Sequence, residues 1–312
     1  MSFSIRPYRR LLLAHLVRLV GSLSVVLFLL GCGIPIHQQR AAEALGKGTM
    51  ALADYWETEM PMLLNGTMAL LITKKALLPT EGDKAPLDDR EYTRIQKVYT
   101  FYAELLRASA NVTVAAMKRD ESSFKDAIRK GESARKRASG VIDGKSPPFV
   151  PLTDAQIDAG DFKKISPEAF AELEKILVRQ LRERPVEMKA VLSESLPKQL
   201  AIYQMLIEEV RAGSHKLLSD PAVHPLIRLS AAQQYRATIE LPLNLEIWRR
   251  RNELILSQYE ETCNKAAAAI EAHGYTLEDA KAVIEEVDKM MKNIEQATAI
   301  IKRMIGFLLL IP

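Results

Sequence analysis

Apolar side chains along most of this chain recur at steps of three and four, the period of a helix buried on one face. Ala41, Ala44, Leu45, Leu52, Tyr55 and Trp56 mark a first helix beginning near His37, and Pro61 predicts a kink or break in it. Residues 62–78 continue as a helix apolar on nearly every side, with Leu63, Leu64, Leu70, Leu71 and Ile72, which predicts burial within a bundle. After a turn over 79–87, Asp88 is placed to cap a long helix with Asp89 and Glu91 in its first turn. Its seam is Ile95, Val98, Tyr102, Leu105, Ser109, Val112 and Ala116, a heptad pattern expected to run on, increasingly charged, to about residue 138.

The stretch 140–153, GVIDGKSPPFVPLT, breaks the pattern with clustered glycine and proline. It reads as a long crossover between helix pairs of one bundle in preference to a domain boundary, because both sides share one helical style. Ser166-Pro167-Glu168 is a strong helix start, and that helix is expected to end before Pro185. Another is expected to begin by Pro197 and to reach about Leu218. SDPAVHP, 219–225, is the next break, followed by helix to about His273 with Pro242 as a kink. Gly274 is placed as a C-cap, and Thr276 opens the last helix with Glu278 and Asp279 behind it.

That last helix has the most regular pattern. Leu277, Ala280, Ile284, Val287, Met291, Ile294, Thr298, Ile301, Ile305 and Leu308 alternate steps of three and four. Val283, Met290, Ala297 and Met304 add a third apolar row, a stripe wide enough to meet two neighbours. The expected fold is therefore all-α, a bundle of long antiparallel helices with heptad-patterned seams and helix content above roughly 60%. By periodicity Ile305 and Leu308 belong in the core. Phe307, Leu310 and Ile311 lack a core partner and are expected to contact a protein or lipid.

Composition agrees: aromatic residues are 6% of the 312, and helix formers dominate. The formal charge of +4 comes from the N-terminus. The first 31 residues hold four arginines and no acid, leaving 39 bases against 39 acids in the remaining 281 residues. A balanced mature chain gives no electrostatic case for nucleic acid.

The opening stretch MSFSIRPYRRLLLAHLVRLVGSLSVVLFLLGCG has a basic head (Arg6, Arg9, Arg10, Arg18), an apolar core over 19–30 and small residues at its close. That is the order of a secretory signal peptide. Its closing Leu29-Leu30-Gly31-Cys32 resembles the lipobox of bacterial lipoprotein precursors, with Leu30 where the family more often has a small or β-branched residue. The resemblance covers about a tenth of the chain. It implies cleavage after Gly31, a mature protein of 32–312, and diacylation (palmitate among the acyl groups) of Cys32. It also implies membrane lipid as partner and a bacterial cell envelope location. Gly33 follows the cysteine where inner-membrane lipoproteins often carry aspartate, which leans towards the outer membrane, facing the periplasm. Two other readings compete. An uncleaved anchor over 11–30 would place Arg18 near mid-membrane, at a cost of roughly 2.5–3.5 kcal/mol. Ordinary cleavage near Gly31 would release a soluble protein.

Beyond Cys32 little points to chemistry. His37, His215, His224 and His273 show no metal-ligand spacing, no glycine-rich phosphate loop or G-x-S-x-G turn occurs, and no cofactor or metal is implied. Carboxylates mostly alternate with bases, as on solvated helix faces. Cys263, with no disulfide partner once Cys32 is acylated, reads as a buried small hydrophobe. Lys118, Lys125, Arg129 and Lys136 fall on one helical face and suit an anionic surface, or simply water; Trp248-Arg249-Arg250-Arg251 is a second basic spot. The function expected is a non-catalytic, membrane-tethered interaction or scaffold protein with a protein partner in the envelope. The other classes are an envelope enzyme with a site assembled from sequence-distant residues, and a single-pass, signal-anchored protein with a helical exported domain.

Overall fold

The computed structural model describes residues 35–77, 89–117, 167–272 and 275–309, with positions 126, 127, 130 and 133 between. The described residues from His37 onward cluster as one compact unit. Among the described residues 95% are helical and none lies in a strand. The described residues form six helices of known bounds, in order α1 Ile36–Thr58, α2 Met60–Leu77, α3 Asp89–Met117, α4 Pro167–Ser219, α5 Pro225–Glu271 and α6 Leu277–Leu309.

Pairs between helices fix their directions. Along α3, Tyr92 meets Asn65, Tyr99 and Tyr102 meet Trp56, and Arg107 meets Asp54 and Glu57, so α3 runs against α1 and α2. Tyr99 donates to Gln199 across to α4. Arg182–Glu271 and Arg211–Thr238 set α4 against α5, and Arg251–Asn293 and Lys265–Glu286 set α5 against α6. His37 Nε2 donates to the Tyr275 carbonyl at 2.5 Å, placing the starts of α1 and α6 at one end. The architecture is an all-α bundle in which α3 runs against α1 and α2, α5 runs against α4 and α6, and the neighbours α1 and α6 lie parallel.

The break expected at Pro61 falls at Glu59, and Pro61 sits in the first turn of α2, where its missing N–H costs nothing. The expected helix end before Pro185 is not found: α4 runs unbroken for 53 residues, with Pro185 and Pro197 inside it. An internal proline costs about 3 kcal/mol. Burial of Leu181, Met188, Leu192, Leu196 and Leu200 along the same helix outweighs that local loss. Tertiary packing overrides the local breaker.

α6 begins with a reciprocal cap. The Asp279 amide donates to Thr276 Oγ1 and the Thr276 amide donates to Asp279 Oδ2, both at 3.0 Å. Tyr275 and Ala280, which flank this cap, are buried, whereas Leu277 is 56% exposed. Leu277 is thus not the seam's first member; Tyr275 supplies the apolar contact there. Farther along, Val283, Met290, Ala297 and Met304 are at most 1% exposed, as are Ala280, Val287 and Ile301. Ile284, Met291, Thr298 and Ile305 are only half-buried. The core seam is therefore rotated by one row from the expected one, and Ile305 lies at its margin.

α1 crosses its neighbours closely. A Cβ on Gly46 would sit 2.4 Å from Val114 Cγ2, and one on Gly48 would sit 2.7 Å from Val287 Cγ1. The two glycines let α1 approach α3 and α6. Trp56 fills the space beyond, 5.9 Å from the Tyr99 ring and 5.6 Å from that of Tyr102.

Candidate functional site

Several interior polar groups tie helices together or lie paired in the core. Tyr55 Oη donates to Asn252 Oδ1 at 2.9 Å, and Asn252 Nδ2 donates to the Trp248 carbonyl at 2.9 Å. Burial raises the Tyr55 phenol above its ordinary range, so it stays a neutral donor. Arg184 lies buried 3.5 Å from Glu187, its pKa lowered by desolvation. Glu59, at the α1–α2 junction, is buried with Lys302 at 3.6 Å. Burial pushes the Cys263 thiol up to about 12, which removes the thiolate a nucleophile or metal ligand needs.

The described histidines make structural contacts. His224 caps α5, its Nδ1 accepting from the Leu226 amide at 3.3 Å, and the His215 ring rests 5.8 Å from that of Tyr235. Among the described residues, no group of three His, Cys, Asp or Glu side chains is placed to hold a metal. A cleft of about 480 Å³ between α1, α3 and the positions at 126, 127 and 130 is lined by Glu43, Lys47, Asp126 and Lys130 over apolar neighbours that include Met50 and Val114. Lys130 is 2.7 Å from Asp126, and two acids with two bases leave the cleft without a charge preference.

Two of the three arginines of the basic spot at 248–251 are held in place by neighbours. Trp248 is buried in the core. Arg249 pairs with Glu246 and Glu253, and Arg250 pairs with Glu246 at 2.8 Å. Hydrogen bonds from these arginines pull the Glu246 carboxyl down to about 2. Arg251 donates to Asn293 at 2.7 Å. Arg249 and Arg251 thus pin α5 to itself and to α6, while the Arg250 guanidinium stays 71% exposed at the surface.

One surface stands apart. Helix α5 buries Leu241, Leu245, Trp248, Ile255, Tyr259 and Cys263 on its inner side. It also turns Leu229, Ile239, Leu243, Ile247 and Leu254 outward, Leu243 being 67% exposed. Steps of four, four and seven link the last four, so they share a face. Leu229 continues that face two heptads before Leu243, and the stripe spans about 38 Å at 1.5 Å per residue. Arg236 and Arg250 lie within it, their side chains 82% and 71% exposed. A large apolar stripe left in water marks a contact surface more often than a run of isolated leucines does.

The sequence-based candidates are not tested by this geometry. Leu29, Leu30, Gly31 and Cys32, the bases Lys118, Lys125, Arg129 and Lys136, and Leu310 and Ile311 lie outside the described residues, as does the side chain of Phe307. The α5 stripe was not anticipated. Its signal was present in the sequence as a second phase of apolar residues on α5, obscured by the stronger inner row. Among the described residues no helix is long and apolar enough to cross a membrane. No protein-family model, curated protein or solved structure matches the chain, so its function is read from its own residues.

Proposed function

We propose that this chain is a lipid-tethered, non-catalytic envelope protein whose helical bundle presents α5 as a docking surface for another envelope component. The signal-like stretch 1–31 and the lipobox-like Leu29-Leu30-Gly31-Cys32 support the tether, and Gly33 supports an outer-membrane position facing the periplasm. The observation that carries the docking role is the exposed stripe Leu229, Ile239, Leu243, Ile247 and Leu254 on an otherwise well-packed bundle. Cys32 precedes Ile36 by four residues, so the tether would join the chain where α1 begins.

Two measurements test this reading. Fatty-acid labelling and fractionation of Cys32→Ser should show loss of label and loss of the membrane-bound mature form, because stable anchoring needs more than one acyl chain. A Cys32→Ser chain that labels and fractionates like wild type ends the lipoprotein reading. A photo-crosslinker at Ile247 should yield, in cells, a discrete adduct that Leu243→Asp removes without lowering the melting temperature. An adduct pattern indifferent to Leu243→Asp would remove the stripe from the function.

A further inference from the structure

Resting on the docking role of α5, we infer that its occupant is a single amphipathic helix of another protein, apolar along its seam, with two acids in that seam fourteen residues apart and bases on its flanks. Leu229, Arg236, Leu243 and Arg250 recur every seventh residue, so leucine and arginine alternate along one line of the exposed face. A helix lying along that line meets an apolar contact, a guanidinium, an apolar contact and a second guanidinium in turn. Ile239, Ile247 and Leu254 widen the apolar part.

The charges define the partner's pattern. Arg236 reaches Glu240 at 3.4 Å and Arg250 reaches Glu246 at 2.8 Å. Exposed pairs along one helix hold their members weakly, so both guanidinium groups can turn to a partner carboxylate, which they grip through two parallel hydrogen bonds. Glu240, Glu246 and Glu253, their side chains 39–56% exposed, flank the stripe and ask for bases beside the partner's seam. Those same acids disfavour an anionic lipid surface.

A second copy of the chain fits poorly. Parallel pairing of two such faces sets Arg236 against Arg236. Antiparallel pairing about Leu243 sets Arg236 against Arg250, so like charges meet in both full-overlap registers, and a register shifted by seven avoids this only by setting each guanidinium against a leucine with no acid to pair it.

The test uses the full chain in nonionic detergent and two synthetic 28-residue helical peptides. One has a leucine–alanine seam carrying glutamate at two positions fourteen apart, with lysine flanks; the other has lysine at those two seam positions. Fluorescence anisotropy should show the glutamate peptide binding at least tenfold more tightly. The double variant R236E/R250E, altered only at exposed positions, should reverse that preference, and Leu243→Asp should abolish both. Equal affinities, or a preference that R236E/R250E leaves unchanged, overturn the inference. So does self-association in sedimentation that Leu243→Asp removes, which would make the occupant a second copy. Binding to phosphatidylglycerol vesicles lost in the same variant would make it lipid and overturn the inference too. If the peptides fail while the Ile247 adduct in cells still depends on Leu243, the docking role stands and only the helix chemistry is wrong.

Discussion

Tyr55 and Cys263 show how single buried polar atoms set the conditions under which this bundle is stable. Tyr55→Phe removes the donor to Asn252 Oδ1 and leaves that oxygen buried without it. The expected loss is about 1–3 kcal/mol in urea unfolding, since an orphaned buried acceptor loses its hydration as well as its bond. Cys263 and Tyr99 both have native pKa values of about 12, raised by burial. An unfolded thiol ionises near pH 8.5 and an unfolded phenol near pH 10. Between those values and about 12 the unfolded chain has released protons that the native chain keeps, so stability falls as pH rises. The urea midpoint should therefore be lower at pH 10.5 than at pH 8, and Cys263→Ala should flatten the earlier part of that decline. Peptide mapping after alkylation at pH 8 should leave Cys263 unmodified until denaturant is added.

At the level of helices, the glycines of α1 make the sharpest claim. Gly48→Ala places a methyl group 2.7 Å from a branched valine carbon on α6, and Gly46→Ala places one 2.4 Å from Val114 on α3. Branched side chains in helices have little rotamer freedom, so each change should cost about 1–3 kcal/mol despite the better helix propensity of alanine. Thermal melting of the two variants checks the sign, which propensity alone predicts wrongly. Pro197 is the opposite case. It is exposed inside α4, and Pro197→Ala should raise the melting temperature by restoring one backbone hydrogen bond. These residues also show why part of the fold was legible and part was not. The seams of α3 and α6 are local repeats, and local repeats are readable. The passage of α4 through Pro185 and Pro197 depends on long-range packing that no window around a proline contains. The exposed stripe of α5 was hidden because its outer leucines and isoleucines share one helix with a stronger inner row. In α6 the row that enters the core is that of Met304, one step from the row expected, because which side of a broad apolar stripe faces inward is set by the neighbouring helices.

For the whole molecule, that shift changes how the C-terminal contact should be tested. Met304 is 1% exposed, so cutting after Arg303 removes core as well as tail. Truncation after Gly306 is the cleaner variant, because Gly306 is exposed and nothing lies within 4 Å of where its Cβ would be. It should leave the melting temperature within a few degrees of wild type. If Phe307, Leu310 and Ile311 contact a partner or lipid, it should weaken that association in fractionation. A large fall in melting temperature would mean that those residues are core.

The register of α5 against α6 has a dynamic consequence. Arg251 opposite Asn293 and Lys265 opposite Glu286 bring Leu309 level with roughly residues 235–242 of α5, counting equal rises on both helices. α5 continues from there back to Pro225, and over that length Arg211 and Ser214 on α4 face Thr238 and Gln234. Among the described residues, Leu226, Ile227 and Leu229 there remain exposed. Helix stretches with so many exposed side chains open at lower free energy than those deep in the bundle. Amide hydrogen exchange should therefore grade along α4 and α5, fast near 212–232 and slow near 245–265. The end of the molecule farthest from the start of α1 would then breathe on its own, as a cantilever yields at its free tip while its root stays fixed.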